Sequence, residues 1–149
     1  MTALAAASDD SLARLDRLSG LARDVLDQCR ALGATQAEVA LGEDSGLSVN
    51  VRMGEVETVE RTRDRSVGVT VYFGQRKGSA STADLQPSSL ASTVEMACAI
   101  ARHTEADPAA GLADADRMAR DLREFDGWHP WALDADRAIA LAVEAEAAG

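Results

Sequence analysis

Few side chains in this chain could do chemistry, and the two histidines are the first candidates because histidine is a common zinc ligand. Catalytic zinc usually takes three protein ligands, of which two are commonly histidines at a short helical spacing. His103 and His129 lie far apart, neither is followed by a glutamate and a second histidine, and no cysteine pair lies near either. This pattern predicts no zinc site, and no cofactor is expected in the chain itself.

Hydroxyl and basic side chains cluster in one stretch, where Arg76 and Lys77 precede Ser79, Ser81 and Thr82. Such residues could cradle a phosphate group. However, their spacing matches no glycine-rich phosphate loop. Charge and hydroxyl runs usually mark solvated faces, so a polar edge strand is the preferred interpretation.

Acidic side chains surround Gly54, namely Glu55, Glu57 and Glu60. Carboxylates are good ligands for hard cations, but alternate residues of a strand do not form the loop cage that calcium requires. Surface charge is therefore the preferred interpretation.

Two cysteines, Cys29 and Cys98, fall at apolar positions of predicted helices. Free cysteine commonly packs as a small hydrophobe, which we expect here instead of a disulfide or a redox pair. A hydrolase would need a serine or cysteine in contact with a histidine, and the spacing defines no such arrangement.

Composition limits the possible functions. A chain of 149 residues suits one domain, and its 46% hydrophobic but only 3% aromatic content predicts a core of Ala, Val and Leu. The formal net charge of −10 disfavours direct contact with nucleic acid or anionic lipid. No apolar run approaches the roughly 18 residues that a membrane helix needs, and the start has no basic segment, so we expect a cytoplasmic protein.

The strands are predicted by two-residue alternation of apolar side chains, which is clearest over 47–53 and 67–73. A short strand at 37–41 is expected before a turn at 42–46. The apolar phase slips between Val56 and Val59, which indicates a bulge or bend near Gly54. Polar turns at 63–66 and 74–78 complete an antiparallel meander of four or five strands, the last at 79–84.

Two main helices and a C-terminal helix surround this sheet in the sequence. Ser8, Asp9 and Asp10 are candidate N-caps for a first helix that ends before Gly33. A second helix begins at Pro87 and ends at His103 and Thr104, and Asp134 can cap a third over 135–148. A short helical turn is expected at 117–122, and the aromatic segment 125–131 is expected to fold back as a hydrophobic plug. The fold class is α+β, with both main helices on one face of the sheet.

Several of these segments resemble the PmbA/TldD family, within its PmbA (TldE) branch. The matching runs are RMGEVETVE at 52–60, SVGVTVYFGQRKGSASTADL at 66–85 and IARHTEADPAAGLAD at 100–114. The segment from Trp128, His129 and Pro130 into AIALAVEAEA is also similar. The separate blocks occur in the family's order and cover nearly the whole chain.

The resemblance implies that residues 1–149 are the N-terminal domain of a longer protein, whose β-rich C-terminal domain is absent here. In this family TldD-like subunits carry a His-Glu-x-x-x-His zinc motif and act as metalloproteases on unfolded peptides. PmbA-like subunits lack that motif and pair with the TldD-like subunit. No zinc ligand or catalytic residue carries over to this sequence, so zinc is expected only in the partner.

The leading hypothesis is thus a noncatalytic domain that helps to form a heterodimer and its substrate path. A free-standing adaptor is the alternative, since family members are also described as modulators of DNA gyrase. The sheet face opposite the helices is predicted to contact the partner or peptide, unless it is simply solvated. An extended peptide could instead add along an exposed strand edge. The residues predicted on that face are Ser48, Asn50, Arg52, Gly68, Thr70 and Tyr72.

Overall fold

The structure is a computed structural model that describes residues 2–121, 129 and 131–149, without the side chains of residues 2–10. Its elements, in chain order, are α1 (Thr2–Ala31), β1 (Gln36–Arg52), β2 (Glu55–Phe73), β3 (Arg76–Thr82), α2 (Pro87–His103) and α3 (Ala135–Ala148). The α+β class predicted from the sequence is confirmed.

Helix α1 ends as predicted but begins earlier. The predicted caps Ser8, Asp9 and Asp10 lie inside the helix, because the alanine-rich residues before them have high helix propensity and extend it to Thr2. At the other end, Gly33 takes a positive φ of 89°. The Ala34 N–H bonds to the Cys29 carbonyl at 3.1 Å and the Gly33 N–H to the Arg30 carbonyl at 2.9 Å, which is a Schellman motif.

In the described part of the chain the sheet has three antiparallel strands in the order β1-β2-β3, so the prediction of four or five strands is not confirmed. The polar stretches at 42–46 and 63–66 are not turns but continue β1 and β2. In these stretches β1 and β2 lie side by side in the sheet, so part of their backbone is paired, and their exposed side chains can be polar without cost. The chain reverses instead at Met53 and Gly54, whose φ values of 54° and 77° suit a tight hairpin turn.

Strand β3 pairs with the second half of β2, from Val67 opposite Thr82 to Phe73 opposite Arg76. Helix α2 packs against β3 and also contacts α1. A Cβ atom added at Gly78 would lie 2.9 Å from the Ala101 Cα and overlap still more closely with the Ala97 carbonyl oxygen. Glycine therefore permits the backbones of β3 and α2 to touch.

The core lies between the sheet and the two main helices, as predicted. Val67, Val69 and Val71 are at most 1% exposed, so the predicted apolar face of β2 is buried. They cluster with residues of α1 and α2, which places both helices on one face of the sheet. The other members of this cluster are Val25, Cys29, Leu90, Val94, Ala97, Cys98 and Ala101.

Helix α3 begins where the sequence predicts, since the Asp134 carboxylate accepts a hydrogen bond of 2.8 Å from the Arg137 N–H. None of its residues is buried. Residues 117–121 form no helix in the structure, and most of the predicted aromatic plug at 125–131 lies outside the described residues. Of that segment, the Trp131 side chain is exposed.

The chain divides into two compact units. The first comprises residues 1–42 and 65–125, and the second comprises residues 43–64 and 126–149. The first unit contains the buried core. The described residues of the second unit lie in the β1–β2 hairpin, at 129 and 131–134, in α3 and at 149, and they include no buried side chain.

Candidate functional site

The first half of the predicted recognition face lies on β1, in the second unit. Ser48, Asn50 and Arg52 are exposed, whereas the alternating Leu47, Val49 and Val51 are half-buried. The Asn50 side chain donates a 2.8 Å hydrogen bond to the Thr58 hydroxyl, and Arg52 lies 3.6 Å from the Glu57 carboxylate. The Asn50 side chain thus links β1 to β2, and all three polar side chains remain open to solvent.

The second half lies on β2, in the first unit. Gly68 and Thr70 are half-buried, and they stand opposite Ser81 and Ser79 of β3. The Thr70 and Ser79 hydroxyls share a hydrogen bond of 3.0 Å. A Cβ atom at Gly68 would meet nothing within 4 Å, so the described residues leave space over this backbone.

Tyr72 differs from the other five predicted residues because its side chain is only 4% exposed. Its carbonyl oxygen accepts hydrogen bonds from the Thr35 N–H at 2.8 Å and the Thr35 hydroxyl at 2.9 Å. The Thr35 hydroxyl also accepts from the Gly74 N–H at 3.0 Å. Tyr72 therefore anchors the end of the sheet, and the recognition role of all six residues stays a prediction.

A carboxylate closes the hairpin turn. The two oxygens of Glu146, near the end of α3, accept hydrogen bonds from the Met53 N–H at 2.6 Å and the Gly54 N–H at 2.7 Å. Both backbone donors point to one side because both residues have positive φ. Sequence reasoning missed this contact, since no local pattern relates residues so far apart in the chain.

An arginine joins the ends of the two main helices. The Arg102 guanidinium lies 4.9 Å from the centroid of the Phe73 ring and donates a 2.8 Å hydrogen bond to the Leu32 carbonyl. A cation there also interacts favourably with the negative end of the α1 dipole. This cluster stabilises the first unit and offers no nucleophile.

The two cysteine thiols are not activated. Burial raises the pKa of the Cys29 thiol to about 11 and also raises that of Cys98, so both thiols stay protonated at neutral pH. Both cysteines are free and buried, as predicted. Hydrogen bonds from the Ser89 hydroxyl and the Gln86 N–H lower the pKa of Asp84, next to the start of α2. His103 is bonded through Nδ1 to the Ala99 carbonyl.

Within the described residues, no group of three or more His, Cys, Asp or Glu side chains is placed to hold a metal ion. In the same part of the chain, no helix has the length and apolar character to span a bilayer.

The sequence of the strands and of helix α2 matches a known domain type. Residues 37–101 match the family model described as PmbA/TldA metallopeptidase domain 1. The chain therefore belongs to the PmbA/TldD family, of which it carries the first domain.

Curated relatives place it close to PmbA. The chain is 49% identical over 112 residues to the metalloprotease PmbA of Escherichia coli O157:H7, a match that covers 75% of this chain and 25% of the relative. It is 48% identical over 112 residues to a metalloprotease PmbA homologue of Haemophilus influenzae, with the same coverage. The chain thus spans about a quarter of the length of these relatives.

Two solved structures share the fold. A protein from Bacteroides thetaiotaomicron, described as a candidate modulator of DNA gyrase, superposes with a TM-score of 0.66 at 24% identity over 73% of this chain and 24% of its own. TldE from Thermococcus kodakarensis superposes with a TM-score of 0.60 at 12% identity over 70% of this chain and 23% of its own.

Proposed function

We propose that this chain is the noncatalytic N-terminal domain of a PmbA/TldE-like subunit in a TldD/TldE-type zinc metalloprotease that processes unfolded peptides. The observation that carries the proposal is the 49% identity to a metalloprotease PmbA over 112 residues, which form only a quarter of that relative. In this proposal the domain contributes to subunit pairing and to the substrate path. The zinc and the catalytic groups belong to the TldD-like partner.

The surface chemistry is compatible with a recognition role. Ser48, Asn50 and Thr70 offer hydroxyl and amide groups that can bond to the main chain of an unfolded peptide without reading its sequence. The space over Gly68 would allow a partner backbone to approach closely. The two free thiols suit a reducing compartment, and the proposal places the protein in the cytoplasm.

The proposal is tested in the longer protein, together with its TldD-like subunit. Thr70→Arg places a bulky charge on the predicted face, and Ser92→Arg places the same charge on the exposed side of α2 as the matched control. We expect Thr70→Arg to weaken subunit association or to slow the turnover of an unstructured peptide by about tenfold, since an unpaired charge at an interface is costly. Ser92→Arg should leave both unchanged.

Two outcomes would count against the proposal. If a folded Thr70→Arg protein associates and turns over peptide at the wild-type level, the face is merely solvated. If the wild-type protein binds no TldD-like subunit but captures DNA gyrase or another regulatory protein, the chain is an adaptor without a protease role. A stoichiometric zinc ion bound by the chain alone, measured by elemental analysis, would contradict its noncatalytic assignment.

A further inference from the structure

Strand β2 leaves one edge open along its first half. Its pairing with β3 runs from Val67 to Phe73, and β1 lies on its other side. Among the described residues, no third strand lies beside residues 55–66, and every side chain in that stretch is exposed. Such an edge presents a row of N–H and C=O groups that can pair with another strand.

The charges along this edge are segregated. Glu55, Glu57 and Glu60 lie towards the hairpin turn, whereas Arg61 and Arg63 lie farther along the strand. Glu57 lies 3.6 Å from Arg52, but both side chains are exposed to solvent, so this ion pair contributes little to stability. An antiparallel strand with the same charge order would meet this edge with opposite charges aligned.

We propose that this edge pairs with the same edge of a second copy of the chain, antiparallel and centred on Val59. In that register Glu57 stands opposite the second copy's Arg61, and Glu55 stands opposite its Arg63. Each of these pairs occurs twice by symmetry. The two Val59 side chains, each 46% exposed, meet at the two-fold axis and bury one another.

Neighbouring registers match these charges less well. A slip of one residue in one direction places Glu57 opposite Glu60, and a slip in the other direction places Glu55 opposite Asp64. A slip of two residues, centred on Thr58, opposes no like charges but keeps only the pair of Glu55 with Arg61 within β2. Since opposite charges directly opposite one another stabilise a sheet and like charges destabilise it, the register centred on Val59 is favoured because it matches two kinds of charge pair and opposes no like charges.

The same charges disfavour pairing of this edge with a strand of unrelated sequence. Charged side chains on an edge repel partners that do not match them, which gives specificity through unfavourable contacts as well as favourable ones. A second copy is the partner that this pattern matches along residues 55–63. The inference does not depend on the proposed function, because it concerns the chain by itself.

Charge-reversal variants test the pairing. Analytical ultracentrifugation measures the mass of each chain in solution and so distinguishes monomer from dimer. We expect the wild-type chain to dimerise with rising concentration. Glu57→Arg and Arg61→Glu should each raise the dissociation constant by about tenfold or more, because each opposes like charges at two symmetric sites. An equimolar mixture of the two variants should recover the dimer as a heterodimer, since all the opposed charges then match. Glu95→Arg, an equal charge change on the exposed side of α2, is the control and should dimerise as wild type.

A cross-link tests the register. Val59→Cys should form a disulfide-linked dimer under mild oxidation, because two residues directly opposite on antiparallel strands bring their Cβ atoms within about 5.5 Å. Val56→Cys is the matched control, since Val56 is similarly exposed, at 44%, but stands opposite Thr62 in the proposed register. It should cross-link at least about tenfold more slowly.

A wild-type chain that stays monomeric at every concentration would overturn the proposal. So would a mixture of the two folded charge variants that stays monomeric, or a dimer that persists in both single variants. Equal cross-linking at positions 59 and 56 would show that the copies do not meet in this register. Circular dichroism of each variant confirms that it is folded before its mass is interpreted.

Discussion

At Gly78 the backbone of β3 meets the backbone of α2, and one added methyl group has no room. Gly78 is buried, and its closest neighbours across the contact are main-chain atoms of Ala97 and Ala101. Backbone cannot rotate away as a long side chain can. The position therefore demands glycine for packing and not for a special φ angle.

We expect Gly78→Ala to lower the free energy of unfolding by about 3 kcal/mol, at the upper end for overpacking, because α2 must move away from the sheet. Denaturant unfolding followed by circular dichroism measures this change. Gly68→Ala is the matched control on the neighbouring strand, where an added Cβ meets nothing. It should change stability by less than about 1 kcal/mol. Equal losses in the two variants would mean that β3 and α2 do not touch at Gly78.

At the scale of elements, the contact between α3 and the hairpin turn depends on one carboxylate. Helix α3 buries none of its residues, so apolar packing stabilises it little. The bonds from the Met53 and Gly54 amides to Glu146 satisfy two donors of a strained turn in which a methionine has a positive φ. Hydrogen bonds to a charged group are stronger than neutral ones, which makes this contact important for α3.

Glu146→Ala should therefore loosen both elements. We expect hydrogen exchange at the Met53 and Gly54 amides to accelerate by about tenfold, since two charge-assisted bonds contribute more than 1.4 kcal/mol or so between them. NMR of the labelled chain measures both amides. Glu144→Ala removes an exposed carboxylate from the same helix and is the control. If both variants exchange at the same rate, Glu146 does not hold the turn.

For the whole molecule, stability is expected to differ between the two compact units. The first unit contains the core cluster around Val67, Val69 and Val71. The described residues of the second unit bury no side chain completely. Regions with few buried apolar contacts open at lower free energy than the core does.

We therefore expect amides at 43–64 and 135–148 to exchange at least about tenfold faster than those at 67–73 and 90–101. Hydrogen exchange followed by mass spectrometry resolves these segments. The sample should be dilute, because pairing of two copies along β2 would protect residues 55–63. Equal protection of both units in a monomeric sample would show that they open together.

The sequence by itself predicted the features that depend on neighbours along the chain. Alternation placed Val67, Val69 and Val71 on a buried face, Gly33 marked the end of α1, and Pro87 and Asp134 marked the starts of α2 and α3. Each of these signals is local, since periodicity and capping involve residues within one or two turns of one another. The confirmed family and α+β class depend on the same local blocks taken in order.

Only the tertiary structure decided which distant residues meet. Strand pairing carries β1 and β2 through polar stretches that resemble turns, and the packing of the sheet buries Tyr72 on a face predicted to be open. The close approach at Gly78 and the capture of the hairpin turn by Glu146 were likewise absent from any local pattern. A backbone amide bonds as well to a partner far along the chain as to a nearby one, so its partner is set by the packed fold and not by the surrounding sequence.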